Sequence, residues 1–261
     1  MKITLNVLAV LLFFSCLGCF AQRQWPHTNA HAHNDYVHPR PLRDALENGF
    51  ASVEADVHLQ NGKLSVAHDH ATAHSPTLER LYFIPLDSII KLNSGFVYAG
   101  SKTPLYLMID IKTESEATYK SLKELLSHYP RLNCSTNPCA VKIFVSGERP
   151  LSTIMKEGYS GLGVDGRPDD VGKGWPVDLM PVISDTYGNW SAWRGQSSPD
   201  AKDFDRIKDL AQRVHAEGKK LRLWAIPDNE LAWEELLTVG VDLINTDHLS
   251  ELNTYLTNKG L

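Results

Sequence analysis

Cysteine is scarce in this 261-residue chain: there are four, and two of them, Cys16 and Cys19, fall close to the start. The remaining pair, Cys134 and Cys139, lies in the loop-like stretch LNCSTNPCAV, with no further cysteine or nearby histidine to complete a zinc set. That counts against a cysteine-based metal centre and leaves a local disulfide as the expectation. Basic runs are missing too. With a net charge of −5 and a pI of about 6.1, the chain lacks the positive face of a nucleic-acid binder. No glycine-rich turn follows any strand-like segment, so an open, doubly wound nucleotide-binding sheet loses its main support. Internal repeats, low-complexity stretches and linkers are absent.

Long apolar runs are limited to one, Leu5 to Phe14, which is too short and too close to the start to be a stable membrane span. Preceded by Lys2 and followed by the small-x-small pattern Cys19-Phe20-Ala21, it reads as a cleaved secretory signal over residues 1–21. The mature chain is then a single domain over residues 22–261, periplasmic or secreted. A lipoprotein anchored through Cys19 or Cys16 is the rival reading.

What the sequence does contain is alternation. LYLMIDIK, from Leu105 to Lys112, has strand character, with Leu105, Leu107, Ile109 and Ile111 on one face. The stretch from Asp203 to Glu217 has helical spacing at Phe204, Ile207, Leu210, Ala211 and Val214 and stops at Gly218. Segments of these two kinds follow one another through the chain as about eight strand–helix units. Repeated units of this type demand a parallel sheet, and eight of them predict an α/β fold closed into a TIM (β/α)8 barrel. The active face of such a barrel lies at the C-terminal ends of its strands. His31 and His33 end the first strand there, Glu54 and Asp56 the second, and Asp110 and Lys112 the third. Trp224 lies on the seventh, and Asp247 ends the eighth.

Glu54 and Asp56 are two apart on a strand and share a face, while Val53, Ala55 and Val57 take the other. Side-by-side carboxylates repel and lose hydration unless a cation or strong donors separate them. Taken alone, the pair is equally compatible with a solvated strand edge. Asp110 changes that, because an acid in so apolar a strand needs a reason. Three carboxylates suit one hard divalent cation, Mg²⁺ or Ca²⁺, better than zinc. His31 and His68 then form a natural acid–base pair for a phosphodiester, with Lys112 supporting the phosphate. Eight of the eleven histidines fall between His27 and His74, so most of them must be bystanders. His33 is the alternative to His31 as the base. The His31-Ala32-His33 step with Asp247 also permits a metal-dependent amidohydrolase, although the middle strand ends offer Ser146, Asp165 and Asp185 in place of its histidines. A barrel that binds a phosphorylated head group without cleaving it is a third reading.

HAHNDY, ENGFASVEADV, LSVAHD, LMIDIK, LRLWAIPDNE and GVDLINTDHL occur in an order that resembles the glycerophosphodiester phosphodiesterase-like, phosphatidylinositol-phospholipase-C-like barrel superfamily. Within it the chain is most similar to the altered-inheritance-of-mitochondria branch. The resemblance implies a TIM barrel, one divalent cation and hydrolysis of a small-molecule phosphodiester. It puts the catalytic histidines on His31 and His68, the metal ligands on Glu54, Asp56 and Asp110, and a catalytic lysine on Lys112. His33, Asn34 and the pocket-closing Trp224 line the substrate site. The chain departs from the typical pattern at His31-Ala32-His33-Asn34, where an H-R-G step is usual, and at Pro39-Arg40-Pro41-Leu42, where P-E-N-T is usual. Its Asp110-x-Lys112 step is instead similar to spider-venom sphingomyelinase D relatives. With the usual arginine missing, Arg149 and Arg167 stand as candidates for the lost phosphate contact.

Overall fold

Alternating apolar residues build strands that close on themselves. In the computed structural model, which describes residues 26–261, nine strands run in chain order. They are β1 (His27–Ala32), β2 (Phe50–Gln60), β3 (Lys63–Val66), β4 (Leu105–Ile111), β5 (Val141–Gly147), β6 (Leu162–Gly166), β7 (Val182–Thr186), β8 (Lys220–Trp224) and β9 (Leu243–Thr246). All but β3 pair in parallel in the order β1-β9-β8-β7-β6-β5-β4-β2, and β1 also pairs with β2, which closes an eight-stranded parallel barrel. The predicted signal over residues 1–21, with Cys16 and Cys19, lies outside the described residues.

The ninth strand, β3, is an antiparallel hairpin arm on the long upper part of β2. Asn61 and Gly62 both have positive φ, as a two-residue hairpin turn of right-handed twist requires. Helices α1 (Arg43–Glu47), α2 (Ile84–Leu92), α3 (Ser115–Ser127), α4 (Leu151–Glu157), α5 (Ala201–Ala216), α6 (Glu230–Thr238) and α7 (Leu249–Lys259) occupy the connections and the C-terminus. One expected unit is incomplete: β6 and β7 are joined without an α-helix, by a 3-10 turn at Pro168–Asp170. Pro168, Gly172, Gly174 and Pro176 in that connection remove the donors and the stiffness that a helix needs.

Caps fix the helix starts. Asp200 accepts from the backbone N–H of Lys202 and Asp203 at the head of α5, and Asn229 accepts from Ala232 at the head of α6. The predicted apolar faces are the buried ones: Phe204, Ile207, Leu210, Ala211 and Val214 of α5 pack inward. The main core lies between barrel and helices and takes Val53, Ala55 and Val57 with Leu105, Leu107, Ile109 and Ile111. A second, small apolar cluster of Met108, Phe144, Val182 and Leu243 fills the barrel interior, with Tyr106 packed against it. The disulfide expected between Cys134 and Cys139 is formed. Among the described residues, no helix is long and apolar enough to cross a membrane.

Candidate active site

Above that apolar plug the barrel interior turns polar. The pairing of β2 with β4 sets Glu54 beside Met108 and Asp56 beside Asp110, and β4 in turn sets Asp110 beside Ser146 of β5. Because strand side chains alternate, Glu54, Asp56 and Asp110 all point inward. One carboxylate oxygen from each lies within 4.8 Å of the others. Asp56 is wholly buried; its Oδ2 accepts from the Tyr36 hydroxyl at 2.9 Å and faces Lys112 Nζ at 3.0 Å. Its Oδ1 is buried and, among the described residues, has no partner. Burial and the Glu54 charge push the Asp56 pKa up, against the pull of Lys112. Burial likewise raises Asp110 to about 6, with Lys112 opposing it and the Asp56 and Glu54 charges adding to it. Crowded acids with a bare buried oxygen are the local deficit of positive charge that a hard cation corrects, and an all-oxygen donor set suits one.

Glu54 is held differently. Its Oε2 accepts from Arg222 at 3.0 Å, and Arg222 also donates to Asn245 Oδ1 at 2.9 Å. His31 Nε2 lies 3.2 Å from the same Oε2, and His31 Nδ1 lies 2.7 Å from Ser52 Oγ. Burial works against the Glu54 carboxylate, yet Arg222 and His31 outweigh it and bring its pKa down to about 2. Burial, helped by the Arg222 charge, lowers His31 to about 4. The network therefore assigns a neutral imidazole at neutral pH, with Nε2–H donating to Glu54 and Nδ1 accepting from the Ser52 hydroxyl. His31 exposes no surface and has both nitrogens engaged.

Two residues further on, His33 stands at the rim with 38% of its side chain exposed, its Nδ1 2.9 Å from Asp247 Oδ1. The β2–β3 hairpin returns the chain to the mouth: Ala67 N bonds to Asp56 O, and His68 follows, exposed, with Nδ1 2.7 Å from Asp69 Oδ1. Lys112 Nζ also lies 3.4 Å from Asp110 Oδ1. Trp224 is exposed at the end of β8, and Asn34, left-handed at φ 46°, opens the loop after β1. Each predicted residue thus lies on the mouth or the upper interior. His31 and His33, however, engage different partners, unlike two ligands of one amidohydrolase metal. Ser146, Asp165 and Asp185 at the middle strand ends instead serve internal contacts.

Sequence reasoning missed Arg222, Tyr36 and Gly147. Arg222 had a signal: in KLRLW it shares the inward face with Trp224, and a buried arginine among leucines implies a buried acid. Gly147 (φ +66°) is needed for space, since a Cβ there would lie 2.0 Å from Asp110 Oδ1. Nothing in the sequence pairs Tyr36 with Asp56.

A closed parallel barrel here gathers a carboxylate trio, a lysine and two histidine–acid pairs at its mouth, where barrel enzymes place their sites. Residues 21–157 match the AIM6-like phosphodiesterase domain, and residues 220–250 match the Glycerophosphoryl diester phosphodiesterase family. The chain belongs to the AIM6-like phosphodiesterase family. It is 35% identical to Altered inheritance of mitochondria protein 6 of Saccharomyces cerevisiae, over 84% of this chain and 68% of that protein. The protein of the same name from Eremothecium gossypii is 28% identical over 87% of this chain and 69% of its own length. A homolog from Arthroderma benhamiae is 26% identical over 86% and 82%.

Proposed function

We propose that the chain is a divalent-metal-dependent phosphodiesterase cleaving a glycerophosphodiester or a related phospholipid-derived phosphodiester. The observation that carries this reading is the bare, buried Oδ1 of Asp56 within the carboxylate trio, with Lys112 beside it. Glu54, Asp56 and Asp110 would hold one Mg²⁺ or Ca²⁺, which when bound neutralises charge on the phosphoryl oxygens. Lys112 adds a fixed ammonium on the same side. Proton transfer falls to His33 and His68, whose Nδ1 atoms are tied to Asp247 and Asp69, which leaves each Nε2 to exchange a proton with substrate. His31, first expected as the base, acts in this reading as a positioning residue that fixes Glu54. Attack by water and attack by a neighbouring substrate hydroxyl are both served by this arrangement. Trp224 offers an apolar wall to the uncharged part of the substrate. A location in the periplasm or outside the cell is part of the same proposal.

The test is turnover of a chromogenic phosphodiester with and without a chelator. Chelation is expected to abolish it and Mg²⁺ or Ca²⁺ to restore it. His33→Ala and His68→Ala should each lower kcat by about 10²- to 10⁴-fold while the fold survives. Turnover that is indifferent to chelator and to both substitutions sinks the proposal.

A further inference from the structure

Beside the carboxylate trio, the loops after β5 and β6 carry two guanidinium groups. Arg167 is fixed: its Nη1 donates to Asp165 Oδ2 at 2.7 Å and to Gly166 O at 2.8 Å. Arg149 is not. Its Nε is buried without an acceptor, and among the described residues its guanidinium has no ion-pair partner. Burial and the facing charge of Arg167 work against its cation and outweigh the favourable charges of Asp165 and Asp170. Asp165 is already saturated by Ser146, Ser184 and Arg167, and Asp170 is taken by Lys173 and the Arg167 backbone. A half-buried arginine set against a second one and left unpaired is costly to the fold. A bound anion removes that cost, and two forks suit an oxyanion bidentately.

The charge balance says which anion. Glu54, Asp56 and Asp110 face Arg222 and Lys112; one divalent cation and one singly charged phosphodiester bring that set to neutrality. On the other side Arg149 and Arg167 are matched in number by Asp165 and Asp170, but those two acids are engaged by Ser146, Ser184, Arg167 and Lys173, and none of those hydrogen bonds comes from Arg149. The scissile phosphate is therefore balanced without the arginines, and among the described residues Arg149 is left without a carboxylate of its own.

We infer that Arg149 and Arg167 form an anion subsite taking a second acidic group of the substrate, a phosphomonoester or carboxylate distinct from the phosphodiester that is cleaved. The part about substrate rests on the proposed phosphodiesterase reading; the anion site itself does not. Gly147 keeps the two regions close, since β5 ends there against Asp110 and Arg149 is two residues on.

Two measurements test it. In the first, inorganic phosphate is titrated calorimetrically into the full chain in the presence of a chelator. Binding is expected in the wild type, weakened about tenfold or more in Arg149→Ala and in Arg167→Gln, and only partly weakened in Arg149→Lys. Absence of binding in the wild type, or undiminished binding in Arg149→Ala, overturns the subsite. The Arg149→Ala protein should melt no lower than the wild type, because an unpaired buried cation has been removed. A marked fall in its Tm would instead make Arg149 a structural residue. In the second, kcat/KM is compared on two chromogenic phosphodiesters, one carrying an added terminal carboxylate or phosphomonoester. The Arg149→Ala loss should be about tenfold greater on the doubly anionic substrate. Equal losses on both overturn the second-group assignment. If the wild type cleaves neither ester, the phosphodiesterase reading fails while the phosphate titration still decides the subsite.

Discussion

Asp56 and Asp165 both lie in the barrel interior and neither exposes any surface, yet they are built for different purposes. Asp165 accepts three donors, from Ser146 at 2.8 Å, Ser184 at 2.6 Å and Arg167 at 2.7 Å, so both of its oxygens are paired. Asp56 has Tyr36 and Lys112 on one oxygen and, among the described residues, nothing on the other. A buried acceptor left bare costs roughly 1–3 kcal/mol. The contrast separates a carboxylate that the protein has finished from one that it leaves to be completed by something else.

The sharpest way to break this contrast is to substitute both acids. Asp165→Ala strands Arg167 and two buried hydroxyls, and should lower stability by about 3–5 kcal/mol in a urea titration. Asp56→Asn should lower it far less, because the neutral amide relieves repulsion with Glu54 and Asp110. It should instead abolish any rise in Tm given by Ca²⁺ or Mg²⁺ in the wild type. If Asp56→Asn is as damaging as Asp165→Ala and the cation-dependent shift persists, the two acids are alike and the contrast is wrong.

The legible part of this site follows from one period. A strand of period two fixes which side chains share a face, so Glu54 with Asp56, and Asp110 with Lys112, were readable in order and in direction. Depth was not readable. His31 and His33 both point inward, but the shear of the closed barrel puts His31 beside Ser52 and Asn245, one layer below the rim. Only the closed structure shows that one imidazole is sealed and the other exposed. The same limit hid Arg222, whose partner Glu54 is 168 residues away. The lack of an α-helix between β6 and β7 is legible in Pro168, Gly172, Gly174 and Pro176 of that connection.

Gly147 offers a smaller effect that sharpens the contrast. A Cβ there would sit 2.0 Å from Asp110 Oδ1 and 2.5 Å from Ile111 O, at φ +66°. Gly62 has a similar φ of +74° but nothing within 4 Å. Gly62→Ala should therefore lose about 1 kcal/mol, from backbone strain alone. Gly147→Ala should lose about 2–3 kcal/mol and also weaken cation binding, since Asp110 must move. Equal losses, with unchanged cation affinity in Gly147→Ala, would remove Gly147 from the site.

The last test concerns a third buried acid, Asp35, below the mouth on the loop after β1. Its Oδ2 accepts from Leu42 N at 2.5 Å and the Tyr82 hydroxyl at 2.8 Å, while among the described residues Oδ1 has no partner. Burial outweighs those two donors and raises its pKa to about 6. Between about pH 4 and pH 6 the folded chain thus keeps a proton that the unfolded chain has released. The Asp35 contribution to stability is full below that window, falls as pH rises through it, and by neutral pH has dropped by on the order of 2–3 kcal/mol. Asp35→Asn can keep an oxygen toward Leu42 and Tyr82 and place its amide where Oδ1 now lies, with no charge to bury. Urea midpoints at pH 4.5 and pH 7.5 isolate the effect, because Asp110 and Glu54 titrate in both proteins and cancel in the difference. The variant should gain on the wild type as pH rises. A difference that stays constant across the two pH values would mean that Asp35 is ionised in the folded state at both, with donors strong enough to finish it as Asp165 is finished.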